Sequence, residues 1–403
     1  MQNFCVDKTV LGAEAHLLVH SEGFSSISRV PPGTLLLTGR FRNSGSPCLD
    51  SLLRLGGSPV DVMPSEKWRL AMRTVGLESD VPWSQVMAPS QYKAHIKNIL
   101  KKVIGSFDRL PVEYFNETWI PCGEVLDSLR PAKVDSSRFR ALIEECGTGN
   151  GALESFRPGA GGYSPPVVYD RFGTRTGRLV VESGPNILTL KREHRGMIRS
   201  HFPDGKVVSL DFSSLEARII LHEADVHAPS ADVYGHISKE LFDGSIDRAA
   251  VKVAVLAELY GASKGLISRR LDMSGEQLDK FIDRIRSYFR TPDLRRRIAE
   301  DLSSTGFIHN KYGRPLTVDD SSSEHLFVNT YAQSTGVDVS LLGFKAILDR
   351  LGTDGIRPLF VLHDALILDV RNDRIKDVEC VSSIEVPGYT APFPLKVETL
   401  HEH

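Results

Sequence analysis

The stretch KVVSLDFSSLEARIILHEA, residues 206–224, joins a β-branched apolar run to an amphipathic pattern through the acidic residue Asp211. The run KVVSLDF predicts a strand with Asp211 at its end, and SSLEARIILHEA predicts a helix that follows at once. A carboxylate at the end of a buried strand costs free energy unless it is solvated, caps a helix or binds a metal. Asp211 is therefore a candidate metal ligand, and a helix N-cap is the alternative.

A second acidic residue occupies a comparable position in PLFVLHDALILDV, residues 358–370. This pattern predicts two apolar strands hinged at His363-Asp364, with Asp364 at the tip, where a simple turn residue is the alternative. Two adjacent carboxylates can hold two divalent cations about 3.5–4 Å apart, which activate an attacking hydroxyl and stabilise a leaving pyrophosphate oxygen. Asp211 and Asp364 are thus predicted catalytic metal ligands, for two Mg²⁺ ions or Mn²⁺ as a substitute.

Between these strands, DRAAVKVAVLAELYG (247–261) has the pattern of a helix. Arg248, Lys252, Leu256 and Tyr260 are four residues apart and so form one stripe along it. Arginine and lysine one turn apart suit the phosphates of a nucleoside triphosphate, and the last two side chains offer a surface for its base and sugar. An ordinary amphipathic helix with basic residues at its edge is the alternative.

The net charge of −2 hides an uneven distribution of basic residues. Lys93, Lys97 and Lys101 recur at helical spacing in a predicted helix, and a second basic run covers 264–314. Two basic surfaces in a near-neutral chain fit a cleft that grips a charged polymer. Solvated helix faces are the alternative for each run.

Length and composition limit the remaining classes. A chain of 403 residues suggests two to four folding units. Its five cysteines form no CxxC pair, which argues against a zinc site or a disulfide framework. We find neither a run of about eighteen apolar residues nor a secretory pattern at the N-terminus, so we expect no membrane partner and a cytoplasmic setting.

Five segments, taken in order, resemble family A DNA polymerases, those related to bacterial polymerase I. VSLDFSSLEARIILHEA resembles the first carboxylate motif of that family, RAAVKVAVLAELYG its nucleotide-binding fingers helix, and VLHDALILDV its second carboxylate motif. TGRLVVESGPNILTL (176–190) is similar to a segment that precedes the first motif. HLFVNTYAQSTGVDVSLL (325–342) is similar to a helix that touches primer–template.

The resemblance implies an α+β multidomain fold of right-hand polymerase architecture, with an antiparallel palm sheet and helical fingers and thumb. The palm would comprise 166–224 and 325–403, and the fingers 225–324. A thumb-like helical region and linker would cover 91–165, on the weaker basis of position and lysines. Residues 1–90 match nothing that we can name and form a region of unknown role.

The resemblance also implies roles for single residues. Arg248 and Lys252 would bind the triphosphate, and Lys252 would also be a candidate proton donor to pyrophosphate. Tyr260 would stack near the template base and the incoming sugar, next to Leu256. Glu216 would press against the 2′ position of that sugar and, with Tyr260, exclude ribonucleotides.

Further residues would contact DNA. The predicted primer–template contacts are Arg178, Asn329, Gln333, His363, Lys93, Lys97 and Lys101. The partners so implied are primer–template DNA and dNTPs, with a helicase or processivity factor as further candidates. The compartment would be the host cytoplasm if the protein is encoded by a phage or another mobile element.

Some positions depart from the pattern of the family. Leu256 stands where Phe or Tyr is usual, and Ala365 stands where a Glu usually follows His-Asp. Neither change removes a metal ligand, so we expect activity. We find no Asp-x-Glu in residues 1–160, the pair with which a proofreading exonuclease opens, so we predict a compact form without proofreading.

Two other functions compete with this interpretation. A single-subunit RNA polymerase shares the Asp, Lys, Tyr-Gly and His-Asp features, but Glu216 argues against it because the RNA enzymes leave room for the 2′-hydroxyl. A non-catalytic DNA-binding protein on a polymerase scaffold needs neither the two aspartates nor Arg248 and Lys252. Template-directed DNA synthesis therefore remains the leading hypothesis.

Overall fold

The computed structural model describes residues 4–20, 23–32, 34–38, 49–57, 66–74, 76, 82–147, 149–229, 232–261, 264–318 and 326–400. The chain divides into two compact units, Met1–Asp127 and Ser128–His403. This division lies between the predicted boundaries at 90 and 165. One reason is that residues just after 127 bond within the second unit, where the Arg130 amide donates to the Pro358 carbonyl oxygen (2.8 Å). The predicted junction at 324 lies outside the described residues, and the domain assignments stay predictions.

The first unit combines a small sheet with helices. Its strands are β1 (Phe4–Val6), β2 (His16–His20), β3 (Gly23–Ile27) and β4 (Leu35–Leu37), in the order β3-β2-β1-β4, with β1 and β4 parallel. Its helices are α1 (Lys8–Leu11), α2 (Leu49–Leu55), α3 (Glu66–Thr74), α4 (Trp83–Val86), α5 (Pro89–Phe107), α6 (Val112–Tyr114) and α7 (Ile120–Ser128). A π-helical turn, Phe115–Trp119, separates α6 from α7. The lysine-bearing helix predicted from the sequence is α5.

The second unit carries the candidate motifs. Its strands are β5 (Lys133–Val134), β6 (Val168–Asp170), β7 (Val180–Ser183), β8 (Ile198–Arg199), β9 (Lys206–Phe212), β10 (Ile308–His309), β11 (Pro315–Leu316), β12 (Ile356–Leu362), β13 (Ala365–Val370), β14 (Ser383–Ile384) and β15 (Phe393–Thr399). Its helices are α8 (Ser136–Cys146), α9 (Gly151–Glu154), α10 (Leu215–Glu223), α11 (Val233–Phe242), α12 (Arg248–Leu259), α13 (Lys264–Leu271), α14 (Gly275–Phe289), α15 (Thr291–Thr305), α16 (Phe327–Leu351) and α17 (Ile375–Glu379).

A five-stranded antiparallel sheet, in the order β12-β13-β9-β15-β14, organises the second unit. The predicted strand over 206–212 is β9, and the predicted hairpin is β12 and β13, so both predictions are confirmed. Because side chains alternate along a strand, Val208, Leu210 and Phe212 are buried on one face, whereas Ser209 and Asp211 point to the other and are only partly buried.

Helix α16 packs on the buried face of this sheet. The rings of Phe212 and Phe344 lie 5.5 Å apart between centroids. Gly343 permits this approach, because a Cβ added there would lie 2.6 Å from Cζ of Phe212. The packed face therefore fixes β9, and with it the position of Asp211 on the opposite face.

The helices α11–α15 share a hydrophobic cluster, which includes Ile237, Val251, Phe281 and Phe289, with parts of α10 and α16. The predicted helix over 247–261 is α12, which Asp247 caps by accepting hydrogen bonds from the amides of the first turn. Together, the sheets and helices confirm the predicted α+β class. Among the helices of the described residues, none is long and apolar enough to cross a membrane.

Candidate active site

Strand pairing brings the two predicted metal ligands together. Asp211 lies opposite Ala365 on β13 and opposite Lys396 on β15. The amide of Phe212 donates to the carbonyl oxygen of Asp364 (3.1 Å) at the turn between β12 and β13. Residues far apart in the sequence are therefore adjacent at one end of the sheet.

The surroundings of both carboxylates disfavour negative charge. Burial, together with the charges of Asp364 and Glu398, raises the pKa of Asp211 from its ordinary value of 3.8 to about 7. Burial, together with the charge of Glu216, also raises the pKa of Asp364. Oxygen donors that repel one another in a half-buried cleft are suited to a divalent cation, whose charge would remove the repulsion.

Glu398 is a site residue that the sequence analysis missed. It lies on β15 opposite Ser209 and lines a cleft of about 300 Å³ together with Asp211 and Asp364. Its carboxylate contacts the ammonium of Lys396 and lies 3.6 Å from the guanidinium of Arg192. The alternation of polar residues in KVET was the available signal, but only the pairing of β15 with β9 shows where it points.

The predicted nucleotide stripe lies on α12. Arg248 and Lys252 are exposed, Leu256 is partly buried, and Tyr260 follows the last helical residue. The Arg248 guanidinium is not free in this structure, since its Nε donates to Oδ2 of Asp232 (2.6 Å). The helix therefore presents two cations and an apolar side chain along one face, as its spacing predicts.

Glu216 connects two of the other predicted site residues. Nη2 of Arg178 donates to its Oε1 (2.7 Å), and the hydroxyl of Tyr260 donates to its Oε2 (2.6 Å). Burial and the neighbouring carboxylate raise the pKa of Tyr260, so its hydroxyl stays protonated and able to donate. The arrangement fixes the Glu216 carboxylate on both sides.

These side chains border a cavity of about 240 Å³. Arg178, Glu216, Gln333, His363 and Asp364 are among the residues that line it. The cavity therefore brings one of the two aspartates together with three of the seven residues predicted to contact primer–template.

The other predicted DNA contacts do not line this cavity. Asn329 is one turn before Gln333 on α16, and its buried Oδ1 has no hydrogen-bond partner among the described residues. Lys93, Lys97 and Lys101 belong to the first unit, where they share the exposed face of α5. Their contact with DNA stays a prediction.

Most basic residues of the run 264–314 form hydrogen bonds or ion pairs with other groups of the protein. Lys264 pairs with Asp279 (2.7 Å), and Nε of Arg286 donates to the buried Glu258 (2.7 Å). Arg314 is almost fully buried, and its Nη2 donates to a backbone carbonyl oxygen (2.6 Å). These contacts favour structural roles for the residues concerned over a continuous DNA-binding surface.

The part of the chain that carries the candidate site matches a known protein family. The family model for DNA polymerase family A matches residues 167–400, which is more than half of the chain. The chain belongs to DNA polymerase family A. The matched residues include both aspartates, the α12 stripe and Glu216.

Relatives in this family include thermostable DNA polymerases I. The enzyme of Thermus aquaticus is 27% identical over 264 residues, which cover 57% of this chain and 31% of the relative. That of Thermus thermophilus is 29% identical over 391 residues, which cover 81% of this chain and 45% of the relative. The chain thus spans less than half the length of these family A relatives.

A solved structure has the same fold as this chain. The POL domain of Pol1 from M. smegmatis, in complex with DNA primer-template and dNTP, superposes with a TM-score of 0.64 at 14% sequence identity. The match covers 98% of this chain and 94% of that domain. The likeness therefore extends beyond the motif-bearing residues.

Proposed function

We propose that this chain is a template-directed DNA polymerase that adds deoxynucleotides to a primer 3′ end by two-metal-ion phosphoryl transfer. The observation that carries the proposal is the adjacency of Asp211 on β9 and Asp364 at the turn before β13, with the phosphate-binding pattern of α12 in the same unit. Membership in DNA polymerase family A supports it. In this assignment the five-stranded sheet is the palm, and α11–α15 are the fingers.

Asp211 and Asp364 would hold the two Mg²⁺ ions, with Mn²⁺ as a substitute. Both are partly buried oxygen donors with raised pKa values, which fits a site that a cation completes. When bound, the ions would lower the pKa of the primer 3′-hydroxyl and stabilise the charge that develops on the leaving pyrophosphate.

The protein itself would hold and protonate the triphosphate. Arg248 would exchange its ion pair with Asp232 for a phosphate oxygen, which keeps the guanidinium paired in both states. Lys252, one turn further along, would bind the neighbouring phosphate and donate a proton to the departing pyrophosphate.

Glu216 would select the sugar. Its carboxylate is held by Arg178 and Tyr260, so it cannot easily move away from a 2′-hydroxyl. A ribonucleotide would then meet a fixed, negatively charged group where a deoxynucleotide presents only hydrogen. Leu256 would pack against the base or sugar without the stacking that an aromatic residue supplies.

Primer–template DNA would lie along the cavity lined by Arg178, Gln333 and His363, with Asn329 close by on α16. The lysines of α5 would add phosphate contacts from a thumb-like region.

We also propose that this chain does not proofread, since residues 1–160 lack the Asp-x-Glu pair that such an exonuclease needs. A helicase or processivity factor would be a partner of the resulting polymerase.

A primed-template extension assay with Mg²⁺ tests the proposal. Extension should occur with dNTPs and be lost in both Asp211→Ala and Asp364→Ala. Extension with rNTPs alone would overturn the role of Glu216, and activity that survives either substitution would overturn the metal assignment. Asp349→Ala is the matched control, because it removes an exposed carboxylate that pairs with Lys345 on α16 and does not line the cleft, so it should retain extension.

A further inference from the structure

Tyr234 lies next to both cations of α12. It is the second residue of α11, and its side chain is almost completely buried. Cζ of Arg248 and Nζ of Lys252 each lie 5.9 Å from the centroid of its ring. Since an aromatic face attracts cations within about 6 Å, one ring contacts the two groups proposed to bind the triphosphate.

Two further contacts lie beside this arrangement. Asp232, two residues before Tyr234, accepts the hydrogen bond from Nε of Arg248 (2.6 Å). The Tyr234 hydroxyl shares a hydrogen bond with the side chain of Ser214, the N-cap of α10, three residues after Asp211. Tyr234 therefore contacts both the phosphate-binding helix and the turn that follows the strand bearing a candidate metal ligand.

The Tyr234 hydroxyl stays protonated, so the ring carries no charge of its own beside the two cations. Burial, followed by the charge of Glu216, raises the pKa of Tyr234 to about 12. The hydroxyl is therefore neutral at physiological pH, and the attraction between the ring and the two cations is that of an aromatic face and not of a phenolate.

We propose that Tyr234 is a positioning residue for the triphosphate, whose ring sets the spacing and height of Arg248 and Lys252. The inference rests on the proposed function, in which these two cations hold the phosphates. Because the two cations that the ring positions would bind only the polyphosphate, the effect of the ring should be equal for all four dNTPs. The same effect should extend to inorganic pyrophosphate and be absent from DNA binding.

A series of rings at position 234 tests this role. Tyr234→Phe removes the hydroxyl and keeps the aromatic face, so KM for dNTPs should stay within about twofold. Fluorinated phenylalanines, up to the pentafluoro ring, keep the shape and progressively remove the negative face. KM for every dNTP, and Kd for inorganic pyrophosphate measured by calorimetry, should rise stepwise to about tenfold, with Kd for primer–template unchanged.

Phe242 provides the matched control. It is buried on the same helix, stacks on Phe281 at 4.6 Å between centroids, and has no contact with the α12 cations among those described. The pentafluoro ring at 242 should leave KM unchanged. A flat series at 234, or an equal rise at 242, would overturn the inference while Arg248→Ala and Lys252→Ala still weaken binding of pyrophosphate. If those two variants bind it normally, the proposed function fails as well.

Discussion

Asp211→Asn should stabilise the metal-free protein at about pH 8, although it removes a proposed metal ligand. The pKa of Asp211 is raised from 3.8 to about 7, so ionisation is less favourable in the folded state than in the unfolded state. The wild-type protein therefore loses stability as pH rises from about 4 to about 7, and this loss is complete above that range. Asparagine keeps the shape of the side chain and never ionises.

The magnitude follows from the shift. About three pKa units at about 1.36 kcal/mol each give about 4 kcal/mol as an upper limit. Because Asp211 is partly exposed and shares its repulsion with Asp364, we expect about half, or ~2 kcal/mol, at pH 8 and little difference near pH 4. Added Mg²⁺ should stabilise the wild-type protein more than the variant, since it binds the folded state through this carboxylate.

Urea unfolding in the presence of a chelator, across this pH range, measures the difference. Far-ultraviolet circular dichroism is the right signal, because Trp68, Trp83 and Trp119 all lie in the first unit. Asp135→Asn is the control: hydrogen bonds from the Arg138 and Ser137 amides hold the pKa of Asp135 below its usual value, so its loss should be destabilising at pH 8. A variant at 211 that is no more stable than wild type at pH 8, or a difference independent of pH, would refute the reasoning.

Three further variants test the contacts with the nucleotide and with DNA. Glu216→Ala should raise the ratio of rNTP to dNTP kcat/KM by about tenfold or more, because the fixed carboxylate no longer meets the 2′-hydroxyl; an unchanged ratio would locate sugar selection elsewhere. Leu256→Tyr should improve dideoxynucleotide incorporation, measured by chain termination, and no change would mean that α12 packs differently against the substrate. Replacing Lys93, Lys97 and Lys101 with Ala should reduce the slope of log K against log salt by about 0.9 for each DNA phosphate that these lysines neutralise, whereas an unaltered slope would identify a solvated face.

The sequence predicted the strands that carry the two aspartates, but it did not predict which side chains lie next to the site residues in the fold. β9 and the hairpin at Asp364 are recognisable because β-branched and apolar runs end at an acidic residue, and both are local patterns. Glu398 was missed because its place beside Asp211 depends on the pairing of β15 with β9, between distant parts of the chain. The ion pair of Arg248 with Asp232 was missed because it depends on how the start of α11 packs against α12.

The basic residues of 264–314 show a second limit. Counting basic residues predicts a positive surface, but Arg286 pairs with Glu258, which precedes this run, and Lys264 pairs with Asp279, which lies within it. Arg314 is buried against the backbone of residue 171. Charge patterning along a sequence thus predicts a nucleic-acid surface only where the partners of each charge are known.

The two faces of β9 explain how the fold stays stable although its carboxylates are unfavourable in the absence of metal. Burial of Asp211, together with repulsion from its acidic neighbours, destabilises the metal-free protein at neutral pH. Val208, Leu210 and Phe212 point the opposite way and are buried, with the Phe212 ring against Phe344 of α16. Apolar burial on that face offsets the cost of the carboxylates, and the alternation of the strand keeps the two functions on separate side chains.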